Sequence, residues 1–112
     1  MNSNKVVVIT GSGRGIGAAC ATLFAKKGYA VCIHYKSNAT AASQVVQSIQ
    51  AIGAQCIAVQ ADVSCEEGVA HLFTCVAKAF GTLNVLVNNA GLLKSQARLV
   101  DMSAERINAI LV

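Results

Sequence analysis

The feature that most constrains this chain is an alternation of two periodicities. Apolar runs of strand length recur at Val6 to Thr10, Ala30 to Tyr35, Gln55 to Gln60 and Asn84 to Val87. Between them lie segments whose apolar residues return every three or four positions. The first and last runs are continuous Val, Ile and Leu, which suits strands covered on both faces. The helical stripes are Ile16, Cys20, Leu23 and Phe24; Ala42, Val45, Val46, Ile49 and Ile52; and Val69, Leu72, Phe73, Val76 and Phe80. Gly28, Gly53 and Gly81 stand just past these stripes, where a left-handed C-cap is favoured, and Ser64 with Glu67 spells a capping box before the third. Strand and helix in strict turn call for an α/β fold: a parallel sheet with right-handed crossovers and helices on both faces.

At 112 residues the chain is one domain at most, and 54% hydrophobic with 12% charged residues is the balance of a buried, sheet-centred core. No run approaches the roughly 20 apolar residues of a membrane span, and Met1 to Lys5 leads into an apolar segment too short for a signal peptide. A soluble, cytoplasmic protein without membrane partners is expected. Five cysteines (Cys20, Cys32, Cys56, Cys65 and Cys75) lie far apart with no CxxC pair, so neither a metal centre nor a disulfide scaffold is expected, and they read as small hydrophobes. The net charge of +4 comes from scattered Lys and Arg with few aromatics, which argues against a nucleic-acid partner. A last helical pattern opens near Ser103, with Ile107, Ile110 and Leu111 on one side and no stop signal before Val112. That pattern suggests a domain spanning 1–112 that is incomplete at its C-terminus.

Thr10-Gly11-Ser12-Gly13-Arg14-Gly15-Ile16-Gly17 follows the first strand directly and opens the first helix, the setting a dinucleotide-binding turn requires. Glycines let the backbone turn sharply and approach a pyrophosphate, and the helix N-terminus offers unpaired N–H groups to the phosphates. Gly17 would allow close packing of helix on strand. The alternative for a glycine-rich loop taken alone is an ordinary flexible turn.

The spacing Thr10-Gly11-x-x-x-Gly15-Ile16-Gly17 resembles the TGxxxGIG motif of the short-chain dehydrogenase/reductase family. Asp62-Val63 after the third strand is similar to that family's adenine-binding Asp, and Asn88-Asn89-Ala90-Gly91 after the fourth matches its NNAG motif. The resemblance implies a Rossmann-type, doubly wound sheet, present as its N-terminal half with strand order 3-2-1-4, and a nicotinamide dinucleotide held beyond the carboxyl ends of the strands. Residues carried over as cofactor contacts are Gly11, Ser12, Gly13, Arg14, Gly15, Ile16, Gly17, Tyr35, Lys36, Ser37, Asp62, Val63, Asn88, Ala90 and Gly91. Local alternatives remain: Asp62 as a turn former before the third helix, and Asn88 and Asn89 as turn residues tolerant of left-handed backbone.

Cofactor choice turns on the end of the second strand, His34-Tyr35-Lys36-Ser37-Asn38, where an NAD enzyme normally places an acid. No acid occurs there. Lys36 and Arg14 resemble the cations with which NADP-preferring members hold the 2′-phosphate, so NADP(H) is expected over NAD(H); otherwise both are solvated surface charges. His34, near the strand end, is either structural or lines the adenosine pocket, and His71 reads as a surface residue beside the third stripe. Chemistry in the resembled family needs an Asn, a Ser and a Tyr-x-x-x-Lys. Tyr29 and Tyr35 have Ile33 and Ala39 four residues on, so no catalytic residue is assigned, and Asn108, followed by Leu111 where the family has Gly, reads as an exposed helix residue. A full-length form would then exchange hydride between NADP(H) and a small alcohol or carbonyl compound, and would self-associate through the helix near Ser103. The alternatives are a stand-alone nucleotide-binding or interaction module, an inactive truncated product, and an extended epimerase or dehydratase, whose usual TGxxGxxG spacing differs from the one here.

Overall fold

The structure is a computed structural model that describes residues 5–13, 15–89 and 96–103, the last as backbone only. Its elements are β1 (Val6–Ile9), α1 (Gly15–Lys26), β2 (Ala30–Tyr35), α2 (Ala39–Ala51), β3 (Cys56–Gln60), α3 (Glu66–Phe80), β4 (Thr82–Asn88) and β5 (Gln96–Ser103). The sheet order is β3-β2-β1-β4-β5, and the first four strands are mutually parallel in the anticipated order 3-2-1-4. Sequence patterning did not disclose β5, which pairs antiparallel with β4 from Thr82↔Ser103 to Asn88↔Gln96. The helical pattern assigned to Ile107, Asn108, Ile110 and Leu111 lies outside the described residues.

The continuous apolar run of β1 became a doubly covered strand, as its composition requires, whereas β4 alternates half-buried and buried residues. All of β1 is buried because alternate residues face two separate cores. On one side Val7, Ile9, Val31 and Ile33 pack with Ala21 and Ala25 of α1 and Ala42 and Ile49 of α2. On the other, Val6, Val8, Ala30 and Cys32 pack with Leu72 and Val76 of α3.

The stripe proposed for α1 needs correction. Ile16 and Leu23 are 78% and 59% exposed, and the buried line is Gly17, Ala21 and Ala25, with Cys20 and Phe24 half-buried. Gly17 lies against the turn that precedes the helix, where a side chain does not fit, and Ala21 and Ala25 pack on the β1 and β2 side chains. Gly28, Gly53 and Gly81 do take positive φ (94°, 91° and 76°) at the helix ends. The capping box does not form. α3 starts at Glu66 with Cys65 as N-cap and no side-chain cap, because the Ser64 hydroxyl is turned toward Asp62.

Candidate functional site

Parallel strands deliver their following loops to one edge of the sheet, and there the turns after β1, β2, β3 and β4 gather. The β1 turn is tied on every side. Thr10 N–H donates to the Val87 carbonyl (3.0 Å), and Thr10 Oγ1 accepts from Asn89 N–H (2.8 Å) while lying 3.3 Å from Asn88 Oδ1. Asn89 Nδ2 donates to the Gly11 carbonyl (3.2 Å). Gly11 takes φ 64°, and its N–H donates to His34 Nδ1 at 2.9 Å. Ser12 is wholly buried: its N–H donates to the His34 carbonyl (2.9 Å), and its Oγ donates to the Ile9 carbonyl and accepts from His34 N–H (3.0 Å). Of the sequence-assigned contacts, Ser12 therefore has its hydroxyl and N–H committed inside the fold.

Gly17 stands under this turn. A Cβ there would lie 2.5 Å from the Gly11 carbonyl oxygen and 2.8 Å from both Asn89 Nδ2 and Ser12 Cα, so only glycine lets α1 begin this close to the loop. Gly15 opens α1 at φ 65°. Ile16 projects outward on the first turn of the helix.

Beside the turn is a cleft of about 260 Å³ lined by Gly11, Gly13, Tyr35, Lys36, Ser37 and Asn38. Gly13 shapes it, since a Cβ at that position would already press on Tyr35 Cβ at 3.3 Å. Five of the sequence-assigned residues thus meet here: Gly11, Gly13, Tyr35, Lys36 and Ser37. Asn38 is an addition, and its position before a helical stripe was the available signal: its Oδ1 accepts from Ala41 N–H (3.0 Å) and caps α2. Among the described residues no carboxylate lines the cleft, and none stands in the first turn of α2, whose N–H groups carry partial positive charge. The fit to a dinucleotide is physical: glycines leave an open cradle, a helix start adjoins it, and a lysine marks its outer rim.

Asp62 and Val63 follow β3 at the same edge but outside this cleft. Exposed Asp62 Oδ1 accepts from Ser64 N–H (3.0 Å) and Ser64 Oγ (2.6 Å), and these bonds hold its carboxyl below the usual carboxylate range. Asn88 is exposed at the end of β4, and no non-glycine residue among those described has positive φ, so Asn88 and Asn89 do not act through left-handed backbone. Arg14, Ala90 and Gly91 lie outside the described residues.

His34 does not line the cleft. It is 2% exposed, with its Nε2 2.7 Å from the Ala61 carbonyl. Sequence reading also missed Gly68 on α3, where a Cβ would collide with the Asp62 carbonyl. A lone glycine inside a helical pattern was the only hint. His71 is exposed, as anticipated. Among the described residues no three His, Cys, Asp or Glu are grouped to hold a metal, no helix is long and apolar enough to cross a membrane, and the five cysteines are unpaired.

Comparison with known proteins agrees with this geometry. Hydroxynaphthalene reductase arp2 of Aspergillus fumigatus is 45% identical over 82% of this chain and 34% of its own length. The short-chain dehydrogenase/reductase homolog YusS of Bacillus subtilis is 37% identical over 81% of this chain and 84% of its own. The chain spans 34 to 43% of the length of the other leading curated relatives. A putative short-chain dehydrogenase/reductase from Burkholderia xenovorans superposes with TM-score 0.77 at 38% identity, over 82% of this chain and 38% of that one. A putative dehydrogenase from Burkholderia cenocepacia with bound NADP gives 0.72 at 32% identity, over 77% and 34%. The family model described as short chain dehydrogenase matches residues 5–111, and with four parallel strands in the order 3-2-1-4 above a glycine-lined cleft, the chain belongs to the short-chain dehydrogenase family.

Proposed function

We propose that this chain is the cofactor-binding half of an NADP(H)-dependent oxidoreductase that interconverts alcohol and carbonyl groups in the cytoplasm. The observation that carries the cofactor choice is the cleft beside Gly11: among the described residues it is bounded by Lys36, Ser37 and Asn38 and by no acid, where a carboxylate would be needed to accept ribose hydroxyls. Bound NADP in a structural neighbour supports the same reading. When bound, the dinucleotide supplies the hydride. The chain's own residues bind and orient it: the β1 turn and the start of α1 face its pyrophosphate, Lys36 and Arg14 its 2′-phosphate, Asp62 and Val63 its adenine, and Asn88, Ala90 and Gly91 its far end. The proton donor of such chemistry, a Tyr-x-x-x-Lys, is not among these 112 residues, so the chain alone is inactive and the whole protein, as a homo-oligomer, would act on a small alcohol or carbonyl substrate.

Titration with NADPH and NADH tests this directly. Two charge-assisted contacts of about 1.5 to 3 kcal/mol each, discounted for exposure, favour NADPH by at least about tenfold. Equal affinities, or an unchanged preference in the Lys36→Ala, Arg14→Ala double variant, would refute it. A second reading, a stand-alone dinucleotide-binding module, is favoured by the similarly short YusS; a reading frame that terminates after Val112 would select it.

A further inference from the structure

One buried polar side chain is explained neither by packing nor by contact with the cleft. His34 shares a face of β2 with Ala30 and Cys32, and both of its ring nitrogens bond to main chain from other segments: Nδ1 to Gly11 N–H at 2.9 Å and Nε2 to the Ala61 carbonyl at 2.7 Å. A peptide N–H can only donate and a carbonyl can only accept. One state of the ring satisfies both, neutral imidazole with its proton on Nε2. Gly11 opens the turn after β1, and Ala61 immediately precedes Asp62 in the turn after β3. The ring therefore bridges two turns separated by the full width of β2.

We propose that His34 is a positioning residue for dinucleotide binding: as the neutral Nε2–H tautomer it locks the glycine turn to the β3 turn, and protonation at Nδ1 releases the turn and lowers affinity. The inference rests on the dinucleotide-binding reading above. Protonation sets an imidazole N–H against the Gly11 N–H in a space closed by Ser12, which bonds the His34 main chain in both directions. Nothing nearby replaces the lost acceptor. On its own strand the titratable neighbours are Cys32 on the same face, Tyr35 on the opposite face and, beyond the strand end, exposed Lys36; Thr10, Gly11 and Ser12 bring none; β3 sets Val59 opposite it. Asp62 is the one carboxylate that senses both His34 and Lys36, but it is exposed and held by Ser64. Glu66 and Glu67 of α3 are exposed.

Two measurements on the unmodified chain test this, with one variant beside them. Nitrogen-15 shifts of the imidazoles, with exposed His71 as internal reference, should show His34 as the Nε2–H tautomer at neutral pH. NADH affinity, followed together with the His34 ring shifts as pH is lowered from about 8, should weaken about tenfold in step with any protonation of the ring and hold level while the ring stays neutral. NADH is the probe because a 2′-phosphate titrates near pH 6 itself. His34→Asn should bind more weakly at pH 8 and lose that inflection. An Nδ1–H tautomer, or binding that stays level while the His34 ring protonates, overturns the inference and leaves the functional reading intact. Failure to bind either dinucleotide at any pH, with the Nε2–H tautomer present, overturns the functional reading and the inference with it.

Discussion

Replacing Gly17 by Ala sets two effects of opposite sign against each other. Gly17 lies inside α1, where helix propensity alone favours Ala by about 1 kcal/mol. The added methyl, however, would sit 2.5 Å from the Gly11 carbonyl oxygen and 2.8 Å from Ser12 Cα. Atoms in contact prefer roughly 3.5 Å, so the turn must retreat by about 1 Å. It is not free to do so: Gly11 N–H and Ser12 N–H both bond His34 at 2.9 Å, and the Gly11 carbonyl takes Asn89 Nδ2 at 3.2 Å. Losing these three bonds at about 1 kcal/mol each, less the propensity gain, leaves a net destabilisation of about 2 kcal/mol. For a domain of this size that lowers Tm by roughly 10 °C. Thermal unfolding followed by circular dichroism measures it, with dinucleotide titration in parallel. Gly53→Ala is the comparison: φ is +91° with nothing within 4 Å, so it should lower Tm through backbone strain and leave affinity unchanged. An unchanged or raised Tm for Gly17→Ala would show that the turn yields easily and would refute the reasoning.

The close approach of α3 to the β3 turn gives a parallel case: Gly68→Ala must displace Asp62, and unfolding in urea should show a loss of about 2 to 3 kcal/mol despite improved helix propensity. Burial pushes the Cys32 thiol far above its ordinary range and the Cys56 thiol up to about 12, so alkylation at pH 8 followed by mass spectrometry should label exposed Cys65 in the folded chain and reach Cys32 and Cys56 only on unfolding. Early labelling of Cys32 would contradict its place in the core. Ser64 lowers the Asp62 pKa in the folded state, so its contribution is present above the unfolded value near 4 and lost as pH falls through the lower folded value. Acid titration by NMR should therefore show the 62–66 turn loosening only below about pH 4; in Asp62→Asn that step should vanish.

Much of the architecture was legible because burial on both faces leaves an unambiguous mark. Val6 to Ile9 carries no polar residue, and only a central strand of an α/β sheet accommodates that. Sequence contrast failed where packing selected for size rather than apolarity. Ile16 and Leu23 fit a helical stripe, yet the buried line is Gly17, against the turn, with Ala21 and Ala25 on the sheet. Ser64 and Glu67 have capping-box spacing, but the Ser64 hydroxyl is turned to donate to Asp62 and the helix starts one residue later, with Cys65 as N-cap. The cleft was foreseen from Gly11, Gly13, Tyr35, Lys36 and Ser37, since strand ends and helix starts converge by topology. His34 was not, because its role depends on two main-chain partners 23 and 27 residues away.

The two sides of the cleft differ in how they are built into the fold. Gly11 and Ser12 are held by bonds that also join β1 to β2 and β4, so altering them disturbs the packing of the sheet. Such a turn is set before any ligand arrives, and little ordering remains to oppose binding. Lys36, Ser37 and Asn38 are exposed, and their backbone is held by local bonds: the Lys36 carbonyl with Gln60 Nε2 (3.0 Å), the Ser37 carbonyl with Ala39 N–H (3.2 Å), the Asn38 carbonyl with Ala42 N–H (3.2 Å) and the Asn38 side-chain cap of α2. The Lys36 side chain makes no hydrogen bond within the described residues, so exchanging it for an acid would change the charge at the rim of the cleft without touching the core. On the proposed reading, recognition of the pyrophosphate is thereby coupled to stability, whereas discrimination between the two dinucleotides is not. On that reading, preference for a phosphate or a hydroxyl at the ribose is set at the exposed rim, where Lys36 can be exchanged without cost to the core.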